Sequence, residues 1–105
     1  MTEYNVIISN QATRDITDIY DYIHSKIGMP QTAMEQINRI ADAIDTLSIF
    51  PERIKVMHDC KRPEKQFRQL LIDHYSVIFT IKETNVFILR VVYSPSNIAH
   101  KLENL

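Results

Sequence analysis

Apolar residues return at steps of three and four from Ala12 onward, at Ile16, Ile19, Tyr20, Ile23 and Ile27, while Asp15, Asp18 and Asp21 are largely displaced from that stripe. This spacing predicts an amphipathic helix with one face toward a core. Ser9 or Asn10 is placed to cap its start, and acidic residues in its first half oppose the positive end of the helix dipole favourably. Gly28 falls just past the last stripe residue, where a left-handed conformation ends helices, and Pro30 follows at a position suited to opening a new one. A second stripe of Ala33, Ile37, Ile40, Ala41, Ile44 and Leu47 runs on until Pro51. Two helices with so short a connection form an antiparallel hairpin. Ahead of them, Tyr4 to Ile8 reads as a short strand.

Beyond Pro51 the period changes. A polar stretch reaches Gln66, and three strand-like runs follow at hairpin spacing: Phe67 to Ile72, Tyr75 to Lys82 and Val86 to Tyr93. Register follows from alternation, because a slip of one residue exchanges the faces. With Glu83, Thr84 and Asn85 as a three-residue loop and Asn85 left-handed, Tyr75, Val77, Phe79 and Ile81 share a face with Phe87, Leu89, Val91 and Tyr93. A two-residue loop mixes the sets. In the same register Arg90 lies across from Ile78, and a loop of Ile72, Asp73 and His74 puts Arg68 across from Ile78 on its other side. Arg68, Ile78 and Arg90 then form one cross-strand row. The expected fold class is α+β in a single domain, 1–105. An N-terminal strand and an antiparallel helix hairpin pack on a mainly antiparallel sheet, completed by three consecutive C-terminal strands, with a short C-terminal helix within Asn97 to Leu105.

Composition narrows the chemistry. The chain has 105 residues, 45% hydrophobic and 24% charged, which fits one globular core and indicates neither disorder nor a membrane span. Phosphate-cradling loops, dinucleotide fingerprints and the nucleophile elbow each need two or more glycines in a short window, and Gly28 stands alone. No cofactor is expected. A single cysteine, Cys60, makes neither an internal disulfide nor a cysteine-based zinc site, and with no signal-peptide pattern in residues 2 to 20 the expected location is the cytoplasm. His58-Asp59-Cys60 lacks the spacing of a metal site, so no metal is expected. His24 is read as a helix-end residue and His74 as a turn residue.

The formal net charge of -1 argues against a general polyanion binder, but it conceals a division. Residues 1–50 hold three bases against seven acids, a balance of −4, and residues 51–105 hold nine against six, a balance of +3. The basic excess concentrates at Arg53, Lys55, Lys61, Arg62, Lys65 and Arg68, opposed only by Asp59 and Glu64. A solvated loop explains such a run, and so does an anion- or partner-binding edge. Arg90 interrupts the apolar run from Val86 to Val92, and a charge in a central strand needs a partner or water. Either it pairs with a carboxylate such as Glu64 or Asp73, or with Arg68 it marks an exposed anion-binding sheet face. The helix stripes are core by default, yet Tyr20, Tyr22, Met29 and Met34 can leave an apolar strip open to an amphipathic partner helix.

In their order and spacing these features resemble the RelE/ParE toxin superfamily of bacterial type II toxin–antitoxin systems, which includes plasmid stabilisation proteins. The residues concerned are the opening strand; Ala12, Asp15-Ile16 and Tyr22-Ile23 in the first helix; Ala33 and Ile37 in the second, with Leu47 and Pro51 at its end. In the strands, Phe67-Arg68-Gln69-Leu70 resembles an aromatic-Arg-x-Leu motif, Tyr75-Ser76-Val77-Ile78-Phe79 a Tyr-Arg-x-x-Tyr strand, and Val86 to Tyr93 the last apolar strand. The resemblance implies a growth-arresting toxin neutralised by a cognate antitoxin, with no membrane partner. RelE-like members are ribosome-dependent, metal-independent endoribonucleases that cut mRNA; ParE-like members poison DNA gyrase. The ribonuclease branch carries Arg after the third-strand tyrosine, where this chain has Ser76, and that departure favours the ParE-like, non-enzymatic branch. If the chain is an RNase, the candidate catalytic residues are Arg68, Arg90, Tyr93 and His100. A third alternative is a degenerate toxin that keeps only antitoxin binding and autoregulation.

Overall fold

The computed structural model describes residues 3–57 and 66–93. The expected C-terminal helix, His58-Asp59-Cys60, Lys61, Arg62, Glu64, Lys65 and His100 lie outside the described residues. Strand β1 spans Asn5–Ile8, helix α1 Asn10–Asp21 and helix α2 Pro30–Asp45; strands β2, β3 and β4 span Arg68–Ile72, Tyr75–Lys82 and Asn85–Tyr93. They form a four-stranded mixed sheet in the order β1-β4-β3-β2, with β1 parallel to β4 and the other pairs antiparallel. The parallel pair needs a crossover, and the helix hairpin supplies it.

The helix boundaries follow local chemistry. Ser9 caps α1, its Oγ accepting the Ala12 N–H at 3.0 Å. No acidic residue occupies the first turn of α1, so the dipole contribution expected from the aspartates does not arise there. Gly28 adopts φ 75, and a methyl group added to it would meet nothing within 4 Å, so the need for glycine is conformational rather than steric. Pro30 opens α2. On α2, Ala33, Ile40 and Ile44 are buried and Leu47 follows them inward, but Ala41 is exposed and Ala43 takes its place against the core. These residues meet Ala12, Val77, Phe79, Val86, Ile88 and Val91 in the main core. The other sheet face carries a smaller cluster of Phe67, Ile78 and Val92, with Met57 and Leu89 packed against it.

Both hairpins correct the expected loops. Glu83-Thr84 and Asp73-His74 are two-residue turns, with Lys82 opposite Asn85 and Ile72 opposite Tyr75. The left-handed residues are Glu83 at φ 60 and Asp73 at φ 55, not Asn85. A two-residue connection suits the twist of the strands, and a β-bulge absorbs the change of phase that it brings. Ile78 pairs with Arg90 and Phe79 with Ile88, so Leu89 is the extra residue. Val86 and Ile88 therefore enter the main core before the bulge, and Val91 after it, whereas Leu89 joins the opposite cluster and Phe87 is only half-buried. Arg68 lies across from Phe79, and Gln69 takes the place beside Ile78. The expected row of Arg68, Ile78 and Arg90 is broken for that reason.

The β2–β3 turn is tied to α2 by a forked ion pair. Arg39 donates to Asp73 from Nε at 2.7 Å and from Nη2 at 2.8 Å, and Gln36 Nε2 adds a contact at 3.1 Å. The Arg39 hydrogen bonds, then that of Gln36, hold the Asp73 carboxyl below its usual pKa. A carboxyl depressed on folding stabilises above its unfolded pKa, about 3.9, and the contribution disappears as pH falls through the lower folded value. Urea midpoints for Arg39→Met and the parent chain are therefore expected to differ slightly at neutral pH and to converge in acid. A gap that persists in acid removes the ion pair as its cause. Both side chains are open to solvent, so salt should narrow the gap too.

Candidate functional site

Strand β1 stops at Ile8, and the start of α1 completes the hydrogen bonding of β4 beyond that point. The Ser9 N–H donates to the Ile88 carbonyl and Ser9 Oγ to the Leu89 carbonyl, each at 3.0 Å. One turn and a half later, Asp15 Oδ2 accepts the Val91 N–H at 3.0 Å and Arg90 Nε at 2.7 Å, and Asp15 Oδ1 accepts Arg90 Nη2 at 3.1 Å. Asp15 is buried, where its charge pattern had suggested an exposed position. It is also the partner of Arg90; Asp73 is engaged by Arg39, and Glu64 lies outside the described residues. The Asp15 hydrogen bonds raise the Arg90 pKa further above its ordinary value.

The other cations are held differently. Arg68 Nη1 donates to the backbone carbonyls of Glu52 and Ile54. Arg53 Nη1 donates to the carbonyls of Ile49 at 2.8 Å and Phe50 at 3.0 Å, beyond the end of α2. Lys55 is exposed. The Glu52 carboxylate accepts the Tyr4 hydroxyl, which lowers the Glu52 pKa and raises that of Tyr4. Ser76 is fully buried and accepts a hydrogen bond from Gln69 Nε2 at 2.9 Å. Of the expected basic edge, the described part consists of two arginines bound to backbone carbonyls and one exposed lysine. Among the described residues, no three His, Cys, Asp or Glu side chains converge in a metal-binding group.

A concave feature lies between the end of α1 and the ends of β3 and β4. It encloses about 590 Å³ and is lined by Asp18, Ile19, Tyr22, Ile27, Tyr75 and Tyr93. Its shape depends on a turn of π-helix at Tyr22–Lys26, closed by Ile27 N–H to Tyr22 O at 3.1 Å. The wider turn shifts the helical phase, so Tyr22 and Ile27 come to the cleft together and Ile27 is 51% exposed instead of continuing the buried stripe. Tyr93 meets Tyr75 edge to face at 5.7 Å and His74 at 6.4 Å. Burial, then the neighbouring Tyr93 and Tyr22, raises the Tyr75 pKa and keeps its phenol neutral. His24 stacks on Tyr20 at 5.4 Å behind the π turn. Tyr22, Met29 and Met34 are about half exposed or more, as expected of an open apolar strip, whereas Tyr20 is half-buried.

Of the candidate catalytic residues that are described, Tyr93 alone reaches this cleft, and Tyr22, expected on an open apolar strip, lines it as well. Asp18 and Tyr75 were not anticipated as its walls, and the only advance signal was the aspartate set beside an aromatic helix end.

Residues 6–94 match the family of ParE toxins of type II toxin-antitoxin systems, parDE. The structure is similar to that of a chromosomal ParDE toxin–antitoxin system from P. aeruginosa, with a TM-score of 0.73 and 21% identity over 89% of this chain and 98% of that one. It is also similar to the toxin-antitoxin complex RelBE2 from Mycobacterium tuberculosis, with a TM-score of 0.61 and 23% identity over 89% of this chain and 93% of that one. At these identities the two likenesses concern the fold. No curated protein matches the sequence.

Proposed function

The chain belongs to the ParE toxin family of type II toxin–antitoxin systems, and from that membership we propose that it acts on DNA gyrase and is held inactive by a cognate antitoxin. The observation that supports this target over mRNA is the state of its strand arginines. Arg90 spends Nε and Nη2 on Asp15, and Arg68 spends Nη1 on two backbone carbonyls. Cleavage of RNA needs cations aimed at charge that develops on the phosphate. Each of these guanidiniums would have to leave a contact that maintains the fold. At the position where the ribonuclease branch carries arginine, Ser76 has no exposed surface to offer a phosphate.

The exposed helix hairpin supports an antitoxin partner. Tyr22, Met29 and Met34 present flexible and aromatic apolar surface of the kind that an amphipathic segment covers. Among the described residues no helix is long and apolar enough to cross a membrane.

The deciding experiment is expression of the chain without its antitoxin, followed by supercoiling and translation-coupled cleavage assays. Growth arrest with inhibited gyrase and intact mRNA is the expected result. Ribosome-dependent primer-extension stops within codons would replace gyrase by mRNA as the target. An absence of arrest would leave antitoxin binding as the retained activity.

A further inference from the structure

We propose that the cleft beside the helix hairpin is a receptor for a guanidinium side chain, supplied by an arginine of the antitoxin. The identity of the partner rests on the preceding proposal; the chemistry of the cleft does not. Three tyrosines, Tyr22, Tyr75 and Tyr93, line the same space as Asp18. Ring faces attract cations, and a carboxylate among them sets the sign of the ligand.

Among the described residues nothing pairs with the charge of Asp18. Its neighbour one turn earlier, Asp15, is engaged by Arg90, and Asp73 across the hairpin is engaged by Arg39. The Asp18 carboxylate makes no hydrogen bond or ion pair among the described residues, and the residue is exposed at the cleft wall. The helices as a whole are acidic, with residues 1–50 at a balance of −4. The surface is therefore complementary to a basic partner.

Shape favours arginine over lysine. The cleft volume of about 590 Å³ falls within the range of small-ligand sites, roughly 300–1,000 Å³, and three of its six lining residues are tyrosines. A guanidinium is flat, stacks on such rings and offers a fork of N–H donors to a carboxylate, whereas an ammonium is a compact and strongly hydrated point charge. Ile19 and Ile27 give the aliphatic stem of an arginine an apolar wall.

The purified full chain is titrated with N-acetyl-arginine amide and, separately, with N-acetyl-citrulline amide, which has nearly the same shape and no charge. Amide NMR shifts and tyrosine fluorescence report binding, and the chain contains no tryptophan to mask the tyrosines. Saturable changes at Tyr22, Ile27, Tyr75 and Tyr93 are expected with the arginine compound only, weaker in high salt and absent in Asp18→Asn. An equal response to both compounds, or no saturable response, overturns the receptor.

Binding of the antitoxin encoded beside the gene is then compared for the parent chain, Asp18→Asn and Tyr22→Ala. Removing one charge-assisted contact or one ring should weaken binding about tenfold. Antitoxin that binds all three equally overturns the proposed use of the cleft while the toxin–antitoxin assignment stands. Failure of any antitoxin to bind the parent chain counts against that assignment, and the arginine titration still decides the cleft.

Discussion

Replacing Asp15 by alanine is expected to destabilise the chain by about 3 kcal/mol, at the lower end of the cost of breaking a buried ion pair because Arg90 retains some access to water. Two groups lose their acceptor at once. The Val91 N–H sits on a stretch of β4 that β1 does not cover, and the Arg90 guanidinium is packed against α1. Each depends on the same carboxylate. In a domain of this size the loss corresponds to a fall in melting temperature of about 4–8 °C for every kcal/mol. Asp15→Asn keeps an oxygen for Val91 and should cost clearly less. Arg90→Gln combined with Asp15→Asn should cost less than the two single changes added together, since either one already ends the charge interaction. Thermal and urea unfolding followed by circular dichroism check all three. If Asp15→Ala is no more harmful than an exposed substitution such as Asp42→Ala, the carboxylate does not hold the edge of β4.

Asp15 also marks the division between what the sequence made visible and what it concealed. Caps and turns that act through adjacent residues were legible: Ser9 at the start of α1, Gly28 with its positive φ, and Pro30 at the start of α2 all occupy their expected places. The strands were legible for a related reason, because their apolar alternation persists over several residues. Burial of Asp15 was not, since the residue that makes it tolerable lies on β4, in the other half of the chain. The hairpin loops failed in a similar way. Alternation counted from Tyr75 to Tyr93 favours a three-residue turn only if every residue of β4 is paired, and the bulge at Leu89 breaks that condition. The same applies to the cleft. A π turn has no reliable mark in one sequence, and without its phase shift Ile27 is assigned to the core and the grouping of Tyr22 with Tyr75 and Tyr93 does not arise. The basic loop was visible as composition, but carbonyl capping by Arg53 and Arg68 depends on chain reversals after α2 that composition does not encode.

The second large effect is expected at Ser76, the position that separates this chain from the ribonuclease pattern. Ser76→Arg should reduce stability by more than about 3 kcal/mol, because it combines overpacking of a full site with burial of a charge. Ser76 has no exposed surface, its cross-strand neighbour Val92 is buried, and its hydroxyl is matched to the Gln69 amide. Ser76→Ala is the reference change. It removes only the acceptor of that hydrogen bond and should cost about 1 kcal/mol. The serine is therefore part of the packing of this sheet face, and a guanidinium cannot be restored there without remaking its surroundings. Ser76→Arg is expected to accumulate in the insoluble fraction or to unfold at much lower denaturant than Ser76→Ala. A soluble Ser76→Arg chain with an unchanged midpoint would mean that the position opens readily to solvent, and the structural case against phosphate binding on this face would then fail.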